Sequence, residues 1–108
     1  MASKLSYRFT PRASEDLLSI LGYIKNELSN PKAASDLALK IFNGIDQVRQ
    51  YPDSGIKVDN PHITDKSVRK FYADNYIVFY KTDKEAKSLI IVRIVYGKRN
   101  LCEILKGI

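Results

Sequence analysis

The feature that most restricts the fold of this chain is a helix-starting pair of residues that occurs twice. Thr10-Pro11 and Asn30-Pro31 each place a good N-cap residue directly before a proline. A Thr or Asn side chain accepts hydrogen bonds from the first N–H groups of a helix, and proline at the first helical position sacrifices no hydrogen bond. The repetition predicts two helices that begin twenty residues apart.

Apolar residues follow both starts at helical spacing. The first stripe is Leu17, Leu21, Ile24 and Leu28, widened by Leu18 and Ile20, and the second is Ala34, Leu37, Ala38, Ile41, Ile45 and Val48, with Phe42 beside it. The first helix should end near Ser29, because residues before a proline avoid the α conformation. Two helices joined by so short a connection must form an antiparallel helical hairpin.

Strand patterns occupy the rest of the chain. Residues 5–9 alternate apolar and polar side chains, which predicts a strand with Leu5, Tyr7 and Phe9 facing inward. Residues 52–66 show no period and are predicted to form a long surface loop. Three strand-like runs follow, joined by short turns, and they predict an antiparallel meander: 67–72, 75–82 and 88–96.

The second and third of these runs are apolar on both faces, so they should lie centrally, with one face under the helices and the other at least partly covered. The sequence therefore predicts one domain over residues 1–108 of the α+β class. Its order is β-α-α-β-β-β, comprising an N-terminal strand, an antiparallel helical hairpin and a three-stranded antiparallel meander.

The net charge of +6 is carried entirely by the C-terminal part of the chain. Residues 1–65 hold eight basic and eight acidic residues, whereas residues 66–108 hold ten basic and four acidic residues. So uneven a charge favours an anionic partner, either nucleic acid or an acidic protein surface.

Motifs of metal and nucleophilic chemistry are missing from the sequence. His62 is the one histidine and Cys102 the one cysteine, so we expect no metal site, no cofactor and no small-molecule substrate. No apolar run approaches the length that crosses a bilayer, and the N-terminus lacks the apolar stretch of a signal peptide. We therefore expect a cytoplasmic protein with no membrane partner.

The candidate binding residues are basic. Arg69-Lys70 and Lys98-Arg99 lie in or after predicted strands that could bring them to one surface. Arg93 interrupts an apolar strand and by alternation shares a face with Ile91 and Val95, so its charge requires an internal partner or a functional cleft. The nearby tyrosines are candidates either for stacking on bases or for the core: Tyr72, Tyr76, Tyr80 and Tyr96.

Three segments, taken with the element order, resemble the RelE/ParE toxin superfamily: 68–71, 75–80 and 91–100. The resemblance implies a toxin of a bacterial type II toxin–antitoxin pair, of the kind linked to plasmid stabilization, whose growth inhibition is blocked by a small antitoxin. In this family an amphipathic antitoxin helix lies along the helical hairpin. The resemblance makes Phe42 and Tyr51 candidate contacts of that partner.

Two branches of the superfamily imply different targets. RelE-like members cleave mRNA on the ribosome with basic residues and a tyrosine. Lys70 and Arg99 match two of those basic residues, but Val68 stands where a lysine is expected, Ile77 where an arginine is, and Leu105 where the tyrosine is.

ParE-like members inhibit DNA gyrase, and the ending from Arg93 to Gly97-Lys98-Arg99 resembles that branch. We therefore expect a non-enzymatic, ParE-like toxin that uses a basic target-binding surface: Arg69, Lys70, Arg93, Lys98 and Arg99. The alternative is a ribosome-dependent endoribonuclease that uses Lys70, Tyr96 and Arg99. A third hypothesis is a plain nucleic-acid-binding module.

Overall fold

The computed structural model describes residues 5–61, 63, 65–99, 104–105 and 108. The predicted hairpin and all four predicted strands are present, and they confirm the α+β class. The elements are β1 (Ser6–Phe9), α1 (Pro11–Gly22), a π-helical turn (Tyr23–Glu27), α2 (Pro31–Gln50), a 3₁₀ turn (Pro52–Ser54), β2 (Ile56–Lys57), β3 (Arg69–Ala73), β4 (Tyr76–Asp83) and β5 (Ser88–Tyr96).

The strands form one five-stranded sheet in the order β1-β5-β4-β3-β2. β1 runs parallel to β5, with Ser6 opposite Ser88, while the remaining neighbours are antiparallel. Two features were not predicted from the sequence: the parallel pairing of β1, and the short edge strand β2 inside the segment expected to be a loop.

Both helices begin as the cap residues predict. The Ala13 N–H donates to Thr10 Oγ1 at 3.1 Å, and the Ala33 N–H donates to Asn30 Oδ1 at 3.0 Å. Among the described residues, no helix combines the length and apolar character needed to cross a membrane.

The π-helical turn changes the end of the first helix. The Leu28 N–H donates to the Tyr23 carbonyl at 3.1 Å, and Ser29 then adopts a positive φ of 50°. The extra residue in this turn moves Leu28 out of the apolar stripe, so Leu28 is 55% exposed. The prediction that Leu18 widens the buried stripe is also wrong, since Leu18 faces outward and is 72% exposed.

Apolar clusters cover both faces of the sheet. The helix-side cluster lies between the sheet and the hairpin, and it includes Ala13, Ile24, Ala34, Leu37, Ile41, Ile45, Val48, Tyr80, Ile91 and Ile94. The far-side cluster lies on the opposite face, and it contains Val58, Ile63, Val68, Ile77, Phe79, Val95, Ile104 and Leu105. Both faces of the central strands are thus covered, as their sequence predicts.

Two further predictions about burial are wrong for physical reasons. Val58 and Ile63, assigned to a surface loop, are buried because they close the far side of the sheet. Tyr7 is partly exposed rather than inward-facing, because β1 is an edge strand, although its neighbours Leu5 and Phe9 do contact the helix-side cluster.

A β-bulge interrupts the pairing of β4 and β5. Phe79 is opposite Arg93, but the next residue, Tyr80, is opposite Ile91. The extra residue on β5 breaks strict alternation. Ile91 therefore belongs to the helix-side cluster and Val95 to the far-side cluster, which corrects the expectation that they share a face.

Candidate functional site

A groove opens where the end of the first helix meets the ends of β4 and β5. We call it the tyrosine groove, because the rings of Tyr23, Tyr76 and Tyr96 line it; its volume is about 640 Å³. The other lining residues are Asp16, Ser19, Ile20, Leu28, Ile94, Val95 and Arg99. One wall comes from the π-helical turn, the opposite wall from the strands, and the cationic rim from the turn after β5.

The hydroxyl of Tyr76 is affected by burial and by its neighbours in this groove. The rings of Tyr76 and Tyr96 meet edge to face, with centroids 5.5 Å apart at 63°. Burial raises the pKa of the Tyr76 hydroxyl, and the neighbouring Tyr96 and Tyr23 raise it further. Tyr76 therefore remains a neutral hydrogen-bonding group at physiological pH and is not suited to be a general base.

Arg93 does not reach into solvent, because Asp16 of α1 binds it inside the protein. Its Nε donates to Asp16 Oδ2 at 2.7 Å and its Nη2 to Asp16 Oδ1 at 3.3 Å. The Ile94 N–H also donates to Asp16 Oδ2, at 3.0 Å. Asp16 thus covers the outer edge of β5 just beyond Ile91, where the pairing with β1 ends.

Arg69 is likewise held by contacts within the chain. We call residues 52–55, together with the two side chains that bind them, the turn anchor. The Arg69 Nη1 donates to the Gly55 carbonyl at 2.9 Å and to the Asp53 carbonyl at 3.3 Å. The hydroxyl of Tyr80 donates to the Pro52 carbonyl at 2.8 Å and accepts from the Gly55 N–H at 3.1 Å.

Gly55 approaches Tyr80 so closely that a Cβ at this position would overlap the hydroxyl. Burial raises the pKa of Tyr80, although the hydrogen bond from Gly55 and the charge of Arg69 work in the opposite direction. Tyr80 is therefore a core residue with a satisfied hydroxyl and no exposed ring for stacking.

The other predicted basic residues are more accessible, but the sheet separates them. Lys98 and Arg99 are exposed at the end of β5, near Tyr76 and Tyr96. Lys70 is half-buried opposite Phe79, with its Nζ 5.5 Å from the centre of the Tyr72 ring. Strand geometry places Lys70 roughly 14 Å from the Tyr96 end of β5, across two strand spacings and three residues of rise. The suggested catalytic set of Lys70, Tyr96 and Arg99 is therefore not brought together.

Side chains at the three positions that depart from the RelE pattern all lie in the far-side cluster. Val68 is 1% exposed, Ile77 3% and Leu105 3%. They contact apolar neighbours such as Ile63 and Phe79 rather than lining an open site. This arrangement offers neither a cation nor a hydroxyl at those positions.

The candidate antitoxin contacts lie on α2. Phe42 is 39% exposed, and its ring centroid is 6.2 Å from that of Phe9. Tyr51 is 64% exposed at the C-terminal cap of α2, roughly 13 Å further along at the helical rise of about 1.5 Å per residue. Phe42 and Tyr51 are therefore separated along α2 and do not adjoin each other.

In the part of the chain that the structure describes, no three His, Cys, Asp or Glu side chains are grouped so that they could hold a metal ion. His62 and Cys102, the two residues singled out by their type, lie outside the described residues.

Sequence reasoning missed Tyr23, Leu28 and Asp16 as parts of this site. The π-helical turn that presents Tyr23 and Leu28 leaves no clear mark in the apolar pattern. Asp16 could have been considered, because a buried arginine needs an acidic partner and Asp16 directly precedes Leu17 of the apolar stripe, although Glu27 directly precedes Leu28 in the same way.

Comparisons with known proteins agree with this architecture. The family model described as "ParE toxin of type II toxin-antitoxin system, parDE" matches residues 7–101. A search of curated protein sequences finds no match.

Several solved structures share the fold, and two of them come from toxin–antitoxin systems. A chain of the chromosomal ParDE toxin–antitoxin system from P. aeruginosa has a TM-score of 0.67 at 19% identity, covering 88% of this chain and 98% of that one. A chain of the toxin–antitoxin complex RelBE2 from Mycobacterium tuberculosis has a TM-score of 0.60 at 18% identity, covering 89% and 93%. At these identities, the likeness is one of fold.

Proposed function

This chain belongs to the ParE toxin family of type II toxin–antitoxin systems, and we propose that it arrests growth by binding and inhibiting DNA gyrase without hydrolytic chemistry of its own. In this proposal a cognate antitoxin masks the protein, and the arrest begins when the antitoxin is lost. The target would bind the end of the sheet that carries Lys98 and Arg99.

The observation that carries the non-enzymatic part of the proposal is the composition of the far-side cluster. Cleavage by the RelE route needs a lysine, an arginine and a tyrosine, and Val68, Ile77 and Leu105 stand at those positions as buried apolar residues. Without them, the chain lacks groups to stabilise charge and to transfer a proton at that surface. The separation of Lys70 from Tyr96 and Arg99 supports the same proposal.

The proposed target surface is narrower than the sequence suggested. Arg69 is bound to residues 52–55 within the turn anchor, and Arg93 is bound to Asp16. Lys70, Lys98 and Arg99 are left to contact a target. Lys98 and Arg99 are both exposed and adjacent, so they form the centre of the proposed surface.

The antitoxin is proposed to cover the hairpin. A groove of about 530 Å³ lies between α1 and α2, and its apolar walls include Leu18, Leu21, Ala34 and Ala38. Leu18 and Leu39 are 72% and 62% exposed, and Phe42 lies one turn after Leu39. Such a surface suits the apolar face of a partner helix. Both similar structures come from toxin–antitoxin systems, which supports a partner of this kind.

The decisive experiment measures supercoiling by purified gyrase in the presence of the purified toxin. We expect inhibition that depends on toxin concentration. The double variant Lys98→Glu/Arg99→Glu should lose at least about tenfold in potency, because it reverses the charge of the proposed surface. The matched control is Lys66→Glu/Lys84→Glu, which changes charge equally at two exposed lysines elsewhere and should inhibit as the parent does.

Expression without antitoxin separates this proposal from its alternative. We expect growth arrest with DNA damage and filamentation, while reporter mRNAs stay intact. Unimpaired supercoiling at saturating toxin would rule out the gyrase proposal. Codon-positioned cuts in translated mRNA, lost in Arg99→Ala, would establish the endoribonuclease instead.

A further inference from the structure

The tyrosine groove has an aromatic and aliphatic lining that neither the net charge of the protein nor the proposed gyrase inhibition explains. Its volume of about 640 Å³ lies in the range of sites that enclose a small molecule or a few side chains. Its walls come from α1, the π-helical turn and the ends of β4 and β5, so separate elements converge on it.

The lining is predominantly apolar, and part of it is exposed. Tyr23 and Leu28 are each 55% exposed on the wall formed by the π-helical turn. That turn is the reason both side chains face the groove, and π-helical turns of this kind frequently occur at functional sites. Ile20 of α1 and Ile94 of β5 add aliphatic lining to the groove.

The charge available in the groove is positive. Asp16 lies on its wall with an 11% exposed side chain, but both carboxylate oxygens bind Arg93, and one of them also binds the Ile94 N–H. The Asp16 charge is thereby balanced within the protein. Arg99 is exposed at the rim and next to Lys98, so an anionic group is favoured beside the apolar cavity.

We propose that the tyrosine groove is an anchor site for a segment of a protein partner that presents a large apolar or aromatic side chain next to carboxylates. The side chain would enter between Tyr23 and the edge-to-face pair Tyr76 and Tyr96, where aromatic contacts are favourable. The adjacent carboxylates would bind Arg99 and Lys98.

Nucleic acid fits this lining less well. Binding a phosphate backbone uses several cations, whereas Arg99 is the one cation among the described residues that line the groove. The aliphatic surface from Ile20, Leu28 and Ile94 also suits a hydrocarbon side chain better than a base edge. The inference specifies the binding chemistry of the groove, so it stands independently of whether gyrase is the target of the toxin.

The absence of tryptophan from the chain allows a direct test. The probe is the peptide Ac-Ala-Trp-Glu-Glu-Ala-NH₂, whose tryptophan reports burial when it is excited at the long-wavelength edge, where the seven tyrosines of the protein absorb little. We expect saturable binding with a blue-shifted emission, and amide NMR shifts centred on Tyr23, Tyr96 and Arg99. The charge-reversed peptide Ac-Ala-Trp-Lys-Lys-Ala-NH₂ should bind at least about tenfold more weakly.

Matched variants locate the site. Tyr23→Ser and Arg99→Glu should each weaken binding at least about tenfold, since one removes a wall and the other reverses the rim charge. Tyr72→Ser is the control for the first, because Tyr72 is also 55% exposed but lies on β3. Lys84→Glu is the control for the second, because Lys84 is exposed in the turn at the other end of β5. Both controls should bind within about twofold of the parent.

Four results would overturn the proposal. Three concern the peptides: the absence of saturable binding at millimolar peptide, equal affinity for the two peptides, and amide shifts confined to the hairpin. The fourth is displacement of the peptide by a short oligothymidylate at lower concentration, which would show a nucleic-acid site. Circular dichroism of each variant confirms that a loss of binding does not come from unfolding.

Discussion

Two regions along β4 contain the same residue types but use them differently. In the middle of the strand, Tyr80 is fully buried and its neighbour Arg69 is largely covered, and both are bound to backbone groups of residues 52–55. At the start of the strand, Tyr76 lines an open groove together with Tyr96, and Arg99 is exposed at the rim of this groove.

The difference teaches that local sequence does not decide what a tyrosine or an arginine does in this fold. Tyr76 and Tyr80 lie four residues apart on one strand, and burial raises the pKa of both. What differs is the neighbouring segment: residues 52–55 fill the space beside Tyr80, whereas the corresponding space beside Tyr76 stays open between the strands and the π-helical turn.

The largest expected effect concerns Asp16. This residue lines the open tyrosine groove, but its carboxylate accepts three hydrogen bonds from Arg93 and the Ile94 N–H. Asp16→Ala leaves the Arg93 charge buried and unpaired, so we expect a loss of about 3 kcal/mol or more in the free energy of unfolding. Urea denaturation measures this. Asp36→Ala, which removes an exposed i,i+4 pair with Lys32, is the control and should cost less than about 0.5 kcal/mol. Equal losses in the two variants would contradict the structural role of Asp16.

Removal of single hydroxyls tests the comparison directly. Tyr80→Phe strips the Pro52 carbonyl and the Gly55 N–H of their partner, so we expect a loss of about 2 kcal/mol in the free energy of unfolding. Tyr76→Phe should cost less than about 0.5 kcal/mol, because its hydroxyl faces the groove. Thermal or urea unfolding of both variants measures these losses. Similar losses would mean that the surroundings of Tyr76 and Tyr80 do not differ in the way described.

Substitutions of Arg69 and Arg99 should differ in the same way in their effect on the free energy of unfolding, but by a smaller amount. Arg69→Ala removes charge-assisted hydrogen bonds to two backbone carbonyls, for which we expect a loss of about 1.5 kcal/mol in the free energy of unfolding. Arg99→Ala should change it by less than about 0.5 kcal/mol while weakening binding at the groove. Chemical denaturation measures the first effect and the peptide titration the second. A stability loss in Arg99→Ala as large as in Arg69→Ala would contradict this assignment.

The smallest effect appears only at high pH. The ordinary tyrosine pKa is 10.0, and burial raises the pKa of both Tyr76 and Tyr80 in the folded state. The unfolded chain therefore loses its phenolic protons first, so stability is complete below about pH 10 and falls as the pH rises towards the folded pKa values. In Tyr80→Phe this fall should be shallower, by a fraction of the ~1.4 kcal/mol per pH unit that one proton contributes. Unfolding measured between pH 8 and 11 tests this, and an unchanged slope would contradict it.

The parts of the fold that sequence predicted are those set by short-range patterns. The caps at Thr10 and Asn30 and the 3.6-residue stripes suffice for the hairpin, and alternating or continuous apolar runs suffice for the strands. The burial of Val58 and Ile63 was not predicted, because isolated apolar residues in an aperiodic segment do not indicate burial until the surface that they cover is known.

The candidate site depends on long-range relations that no local pattern contains. Arg93 finds its partner in Asp16, on an element far away in the chain, and the bulge at β5 changes which face each later side chain occupies. The tyrosine groove combines residues from α1, the π-helical turn and two strands. The resemblance to a toxin family could identify the fold and the missing RelE groups, but only the packing shows that those positions are filled by a core.

The parallel pairing of β1 with β5 has a consequence for the order in which the protein folds. β1 is synthesised before the other strands of the sheet, yet its partner β5 is the last of these strands to be made. Contacts between such distant segments form late and slow the folding of a small domain. Asp16 and Tyr23 must likewise wait for β5 before the groove closes around them. The groove therefore exists only after β5 has paired, and a partner that recognises it distinguishes the folded sheet from a chain in which β5 is not yet in place.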